Sequence, residues 1–306
     1  MAELQFIANG NGRQATPPRP KSPWGLPNYS PTSLNQHANC PEAFLHERVL
    51  KTPFAEDQGS VALAKGSAVH ALLQRYVCMD LARSTQFEER LESEASRALA
   101  AQGLPSANPG HLAAVDEVMT CTANGIDVLR NEYAGASLLI GEQFLSLNWT
   151  QGPAPFRLTA KIDLRACFPD GSVESLDWKT GKPRGLDQIQ NIICRLVTEA
   201  NASQIFKRYL PTGAPPAIRT TVCHLSTRKL TVQQFDHAQL EAEFADIRAR
   251  IAHIEKAKAT PVPGSHEWMP QPGPLCGWCK YAQACSYHAS MGAAMPWLDD
   301  ELVQGR

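Results

Sequence analysis

Two runs rich in β-forming residues, 156–166 and 173–179, stand on either side of Pro169-Asp170-Gly171, a turn sequence that directs the chain to fold back on itself as a hairpin. Both runs carry an acid. Asp163 lies in the first and Asp177, fourteen residues further on, in the second. Antiparallel pairing about the turn brings their carboxylates near each other. Lys179 follows Asp177 by two positions and shares its face, because side chains alternate with period two.

Two carboxylates side by side make a cation site. Hard divalent ions bind through one or two carboxylates plus water and substrate phosphate, and an adjacent ammonium can orient a water or offset charge on a phosphate. The alternative is a surface ion pair. Ile162, Leu164, Leu176 and Trp178 flank the acids, and alternation turns them to the opposite face, so the acidic face can be solvated. Spacing alone leaves both readings open.

The surroundings set the fold class. With 306 residues, 43% of them hydrophobic, the chain can bury a sizeable core, and a formal net charge of -1 gives no global field for a polyanion. Any nucleic-acid contact then falls to local basic groups. Residues 1–32 are proline-rich and predict a disordered arm. Ser33 with Gln36 has the form of a capping box, and Pro41 suits the first turn of a helix. Residues 65–133 follow helical spacing, broken between Gly103 and Gly110. Strands are expected over 137–149, 156–166 and 173–179, a helix from about 186, strands over 218–226 and 229–235, and a long helix capped by Asp236. This order predicts an α/β (α+β) class, with a mixed sheet flanked by helices. The apolar runs are too short for a membrane span and the first thirty residues lack a signal-peptide core, so the expectation is a cytoplasmic protein with no membrane partner.

Nine cysteines are too irregularly placed for a disulfide scaffold. Cys78, Cys121, Cys167, Cys194 and Cys223 lie in apolar or mixed periodic segments and read as packing residues. Cys276, Cys279 and Cys285 form a C-x2-C-x5-C cluster, one ligand short of a closed tetrahedral set. Zinc and iron–sulfur both suit such ligands, and His288 stands nearby as a substitute.

Gly66-Ser67-Ala68-Val69-His70, then Lys161-Ile162-Asp163, then Asp177-Trp178-Lys179-Thr180-Gly181-Lys182-Pro183, then Gln188-Ile189 with Ile192, resembles the PD-(D/E)XK nucleases of the RecB/AddB type, including CRISPR-associated exonucleases with an iron–sulfur cluster. The resemblance implies a restriction-endonuclease-like fold in which His70, Asp163, Asp177 and the backbone carbonyl of Trp178 hold Mg2+ or Mn2+. It makes Lys179 catalytic and Gln188 a residue that orders the site. The family's usual tyrosine is here Ile192, and Gln190 is an alternative in register. Cys40 corresponds to the lone N-terminal cysteine that completes a [4Fe–4S] cluster with Cys276, Cys279 and Cys285, zinc being the alternative metal. The implied domain spans 33–294, with a helical layer over 65–133, a catalytic core over 137–258 and a tail over 295–306. The implied function is a metal-dependent deoxyribonuclease, an exonuclease on DNA ends or single strands, in repair, recombination or CRISPR adaptation complexes; the alternative is a non-cleaving DNA-binding scaffold subunit. Lys182 and Arg184 are the candidate phosphate contacts.

Overall fold

The computed structural model describes residues 25–54, 60–79, 81–182, 187–205 and 217–290. In chain order the elements are β1 (Asn28–Tyr29), α1 (Pro31–Asn39), α2 (Pro41–Phe44, followed by a π-helical turn Leu45–Leu50), α3 (Val61–Val77), α4 (Leu81–Glu89), α5 (Leu91–Ala101), α6 (His111–Glu132), β2 (Leu138–Ile140), β3 (Gln143–Trp149), β4 (Phe156–Ile162), β5 (Leu164–Cys167), β6 (Val173–Lys179), α7 (Gln188–Ile205), β7 (Ile218–His224), β8 (Lys229–Gln233), α8 (His237–Ala257) and α9 (Ser286–Ser290). They divide between two compact units, a larger one drawn from 1–28, 59–150 and 155–244 and a smaller one drawn from 29–58, 151–154 and 245–306.

In the larger unit a five-stranded sheet runs in the order β2-β5-β6-β7-β8. Only β6 and β7 pair in parallel, and α7 supplies the crossover that a parallel pair requires. One sheet face, presenting Leu164, Leu176, Trp178 and Cys223, packs against Leu72 and Leu73 of α3 and Val118 and Ile126 of α6. The other presents Cys167, Val173 and Ile218 to Ala202 of α7. Both faces are therefore covered, and the expected mixed sheet between helical layers is present. The β3–β4 hairpin makes a second sheet, with Asn28 at its edge accepting a 2.7 Å hydrogen bond from the Thr159 hydroxyl.

Two expected strands prove to be four. The runs 137–149 and 156–166 each break once and pass from one sheet to the other, the second break falling at Asp163. A carboxylate that binds backbone amides competes with ladder pairing, and that is how Asp163 is used.

In the smaller unit the helix start also differs from expectation. Ser30 caps α1 by accepting from the Ser33 amide at 3.2 Å, while Ser33 Oγ accepts from the Ser30 amide at 2.8 Å. The box lies one turn before Ser33–Gln36 because Pro31, with φ preset and no N–H to satisfy, takes the first helical position. Part of the expected arm, residues 25–32, is thus structured; residues 1–24 and the 295–306 tail lie outside the described residues. The expected cap at Asp236 is formed, with Asp236 Oδ1 accepting from the Gln239 amide at 2.7 Å. Among the described residues no helix is long and apolar enough to cross a membrane.

The α3–α6 contact places His70, and one glycine allows it. A Cβ on Gly125 of α6 would stand 2.6 Å from Leu73 Cδ2, a side chain with no exposure. Gly125→Ala is expected to cost about 1–3 kcal/mol through overpacking, read by urea denaturation; a loss below about 0.5 kcal/mol would show that α3 and α6 are not in this contact.

Candidate active site

Asp163 sits in the bend between β4 and β5, where its side chain is only 8% exposed. Its Oδ2 accepts from the Trp178 amide at 2.9 Å, and its Oδ1 lies 3.1 Å from His70 Nδ1 on α3. The Leu164–Leu176 register of β5 and β6 carries the hairpin forward so that Asp163 and Asp177 end beside each other. Asp177 in turn faces Lys179 and Gln190. Lys179 Nζ lies 2.8 Å from Asp177 Oδ2 and donates to Gln190 Oε1 at 3.2 Å, while Gln190 Nε2 donates to Asp177 Oδ1 at 2.7 Å. Gln190 belongs to the first turn of α7, held by Asp187, whose Oδ1 accepts from the Gln190 amide at 2.9 Å. A cap on one helix thereby fixes a side chain that braces the two β6 residues.

Charge crowding follows from this arrangement. Burial pushes the Asp177 carboxyl above its usual range and the Asp163 charge pushes it further, only partly offset by the Lys179 ammonium. For His70, burial favours the neutral ring, but the hydrogen bond and charge of Asp163, with the charge of Asp177, outweigh it and raise its pKa. Burial likewise opposes the Lys179 charge, and Asp177 reverses that, leaving the ammonium more firmly protonated than an ordinary lysine. The site thus holds its protons and its ion pair tightly when no further cation is bound.

His70, Asp163, Asp177 and Lys179 are brought together. Trp178 contributes its amide to Asp163 while its side chain is buried in the core. Gln188 is not among them: its Nε2 donates to Glu243 on α8 at 3.1 Å, and Gln190, two positions on, is the residue that reaches Asp177. Two residues advance a helix by about 200° of turn, so Gln188 and Gln190 cannot face the same way. Lys182 is exposed on the loop after β6, and Arg184 lies outside the described residues. Sequence reasoning passed over His224, which stands in register beside Lys179 on the parallel strand, 7% exposed, with Nδ1 making no hydrogen bond. Its signal was the pairing of β6 with β7, which no local pattern announces.

The donors fit a hard divalent ion better than a closed metal cage. Asp177 Oδ2 is buried with the Lys179 ammonium, 2.8 Å away, as its ion-pair partner, so a divalent ion would meet an oxygen already committed to a cation. Among the described residues no three His, Cys, Asp or Glu side chains already converge as a ready-made metal site. Mg2+ does not require that, since it keeps several waters and takes one or two carboxylates.

In the smaller unit, Cys40, Cys276, Cys279 and Cys285 line one pocket. Cys40 stands at the α1–α2 junction with its Sγ accepting from the Ala43 amide at 3.5 Å, and Cys276 Sγ accepts from the Gly273 amide at 3.3 Å. Burial raises the thiol pKa of Cys279, with the Tyr281 amide pulling it down; burial raises that of Cys285, with the amides of His288 and Tyr287 opposing. Amides aimed at all four sulfurs suit thiolates, the form in which cysteine holds a metal, although among the described residues the four do not stand as a closed ligand set. Of the five cysteines read as packing residues, Cys121, Cys167, Cys194 and Cys223 are buried; Cys78 is exposed just past the end of α3.

Because Asp163 and Asp177 raise the His70 pKa, and burial with the Asp163 charge raises that of Asp177, protons would compete with a cation for the site. Affinity for Mg2+ or Mn2+ is expected to rise with pH through and above the ordinary histidine range, and in EDTA the His70 ring should titrate above its usual pKa, falling back in Asp163→Asn. Histidine NMR titration reads this; an unperturbed His70 would break the pair.

Several known proteins are similar to this chain. No curated protein matches it by sequence. Among solved structures, a candidate exonuclease from Eubacterium rectale aligns at a TM-score of 0.44 and 17% identity, over 82% of this chain and 86% of that one. A protein designated SSO0001 aligns at 0.31 and 13%, over 80% and 95%. Neither likeness carries weight at those scores. The family model does: PD-(D/E)XK nuclease superfamily matches residues 28–286, most of the chain, including every residue of the cluster around Asp163 and all four pocket cysteines. The chain belongs to the PD-(D/E)XK nuclease superfamily, whose reaction is hydrolysis of phosphodiester bonds.

Proposed function

We propose that this protein is a divalent-metal-dependent deoxyribonuclease, cleaving at DNA ends or in single strands, and that Asp163, Asp177 and Lys179 carry the reaction. The observation behind this reading is the juxtaposition of two carboxylates from the two arms of one hairpin, braced by His70 and Gln190, with the Lys179 ammonium beside them.

Asp163 and Asp177 would hold Mg2+ or Mn2+, with the Trp178 carbonyl and His70 as further donors. The ion, when bound, supplies Lewis-acid stabilisation of the phosphate charge and a more acidic water. The chain's own groups do the positioning. Gln190 restrains one oxygen of Asp177 and steadies the Lys179 ammonium, so the lysine points along the carboxylate edge where a scissile phosphate would lie. With Asp177 also engaged by the ion, the Lys179 ammonium would be free to donate to the attacking water or to a phosphoryl oxygen. His70, tied to Asp163 Oδ1, keeps that carboxylate in one orientation. Lys161, in an ion pair with Glu142 at 2.6 Å, adds a cation within electrostatic reach of His70.

For the cysteine pocket we favour a [4Fe–4S] cluster, with zinc as the alternative. Bonds from Cys40 to the 276–285 cluster would close a loop of more than two hundred residues and restrict the unfolded chain, a structural role that needs no electron transfer. Anaerobic purification should yield brown protein with about four iron atoms per chain. Colourless protein with stoichiometric zinc would assign the pocket to zinc.

The nuclease assignment is tested with end-labelled single- and double-stranded oligonucleotides across a metal series. Asp177→Asn and Lys179→Ala should each lower cleavage by at least roughly 10²–10³-fold without loss of fold. Gln190→Ala should lower it less, and Gln188→Ala should leave it near wild type. Wild-type retention of DNA without cleavage in Mn2+ would support the scaffold reading, and full activity in Asp177→Asn would overturn the site.

A further inference from the structure

The smaller unit carries exposed aromatic side chains where a packed domain has no use for them. Trp278, between Cys276 and Cys279, is 74% exposed, and Phe54, after the π-helical turn, is 42% exposed. Isolated apolar residues on a surface are ordinary, but Phe54 belongs to a connected set. Lys280, two residues past Trp278, holds its Nζ 4.2 Å from the Phe54 ring centroid and 5.2 Å from that of Tyr281. Phe54 meets Tyr281 edge-on at 5.6 Å, and Tyr281 stacks on the buried His46 ring at 5.7 Å. The outer aromatics therefore rest on an ordered base, with a cation set among them.

The charge around them is positive. Glu47 is shared by Arg48 at 3.2 Å and Lys280 at 2.9 Å, while Lys51, held by a left-handed φ of 55°, donates to the Glu47 carbonyl at 3.3 Å. Among the described residues, Arg48 and Lys280 thus share one carboxylate and Lys51 adds a third cation beside them, against a chain whose formal net charge is -1. Basic groups interleaved with exposed rings are what single-stranded nucleic acid requires: phosphates track the cations and bases stack on the rings, as duplex bases, already stacked on each other, cannot. An acidic protein segment could meet the cations, but only a nucleic acid places an anion and a flat base at each successive unit, matching cations interleaved with rings.

We propose that Trp278 and Phe54, with Lys280, Lys51 and Arg48, form a stacking platform for single-stranded DNA. The proposal rests on the nuclease reading for its choice of ligand, and adds a strand preference to it.

The test is binding without cleavage. In EDTA, fluorescence anisotropy with a fluorescein-labelled oligothymidylate of about 16 nucleotides should show Trp278→Ala and Phe54→Ala each weakening binding by about 5- to 100-fold, with Trp278→Phe recovering most of it. A duplex of the same length should bind wild type and variants alike. Metal content and thermal midpoint measured on each variant separate a lost stack from a damaged cysteine pocket, and Phe54→Ala, outside that pocket, repeats the test should Trp278→Ala fail to hold its metal. Unchanged oligothymidylate affinity in Phe54→Ala and Trp278→Ala, or an equal loss for duplex, overturns the platform. Asp177→Asn, which binds the oligonucleotide but does not cut it, keeps the two claims apart: its cleavage would fail the site and leave the platform standing.

Discussion

The hydrogen bond from the Trp178 amide to Asp163 is the constraint on which the site depends. It ends one strand and begins another, because a residue that gives its side chain to a neighbouring backbone amide cannot also stay in regular pairing with both sheets. The break turns the Asp163 carboxylate toward Asp177. One bond thus sets the topology, passing the chain from the β3–β4 hairpin into the five-stranded sheet, and the chemistry, by drawing two like charges together. A bend without the carboxylate would serve the fold; in the proposed reaction the carboxylate serves the metal.

Bringing two acids together in a partly buried place is destabilising, and the surrounding residues show how the chain limits that. His70 and Lys179 each supply a positive or protonatable group, and Gln190 donates to the Asp177 oxygen that Lys179 does not face. Burial and mutual repulsion raise the acid's proton affinity, while His70 becomes easier to protonate, so protons and a divalent ion would compete for the same charges. Such a site is poised for cation uptake because the cation replaces compensations already present.

Much of this was legible in the sequence. Pro169-Asp170-Gly171 specified the hairpin, and period-two spacing put Asp177 and Lys179 on one face, because both are local rules. Asp236 signalled its helix through side-chain geometry that spans only three residues. What the sequence obscured was non-local or ambiguous in phase. Residues 156–166 read as one strand because Asp163 is a single polar residue in a β-rich run, and nothing beside it announces a change of sheet. Gln188 and Gln190 stand two apart at a helix start, and choosing between them required knowing which face of α7 meets β6. His224 carried no motif; its place beside Lys179 comes from strands thirty-nine residues apart pairing in parallel. The helix starts one turn before Ser33 because Pro31, the last proline of a proline-rich stretch, takes its first position, and composition does not separate a helix-starting proline from the others.

The central claim is that Asp163 and Asp177 share one divalent ion at the end of the hairpin. Anomalous diffraction from crystals soaked in Mn2+ tests it most directly. The account requires a peak bonded to an oxygen of each carboxylate at about 2.0–2.2 Å, with Lys179 Nζ outside the coordination sphere. A Mn2+ ion bound elsewhere, with Asp163 and Asp177 still joined only to His70, Trp178, Gln190 and Lys179, would contradict it.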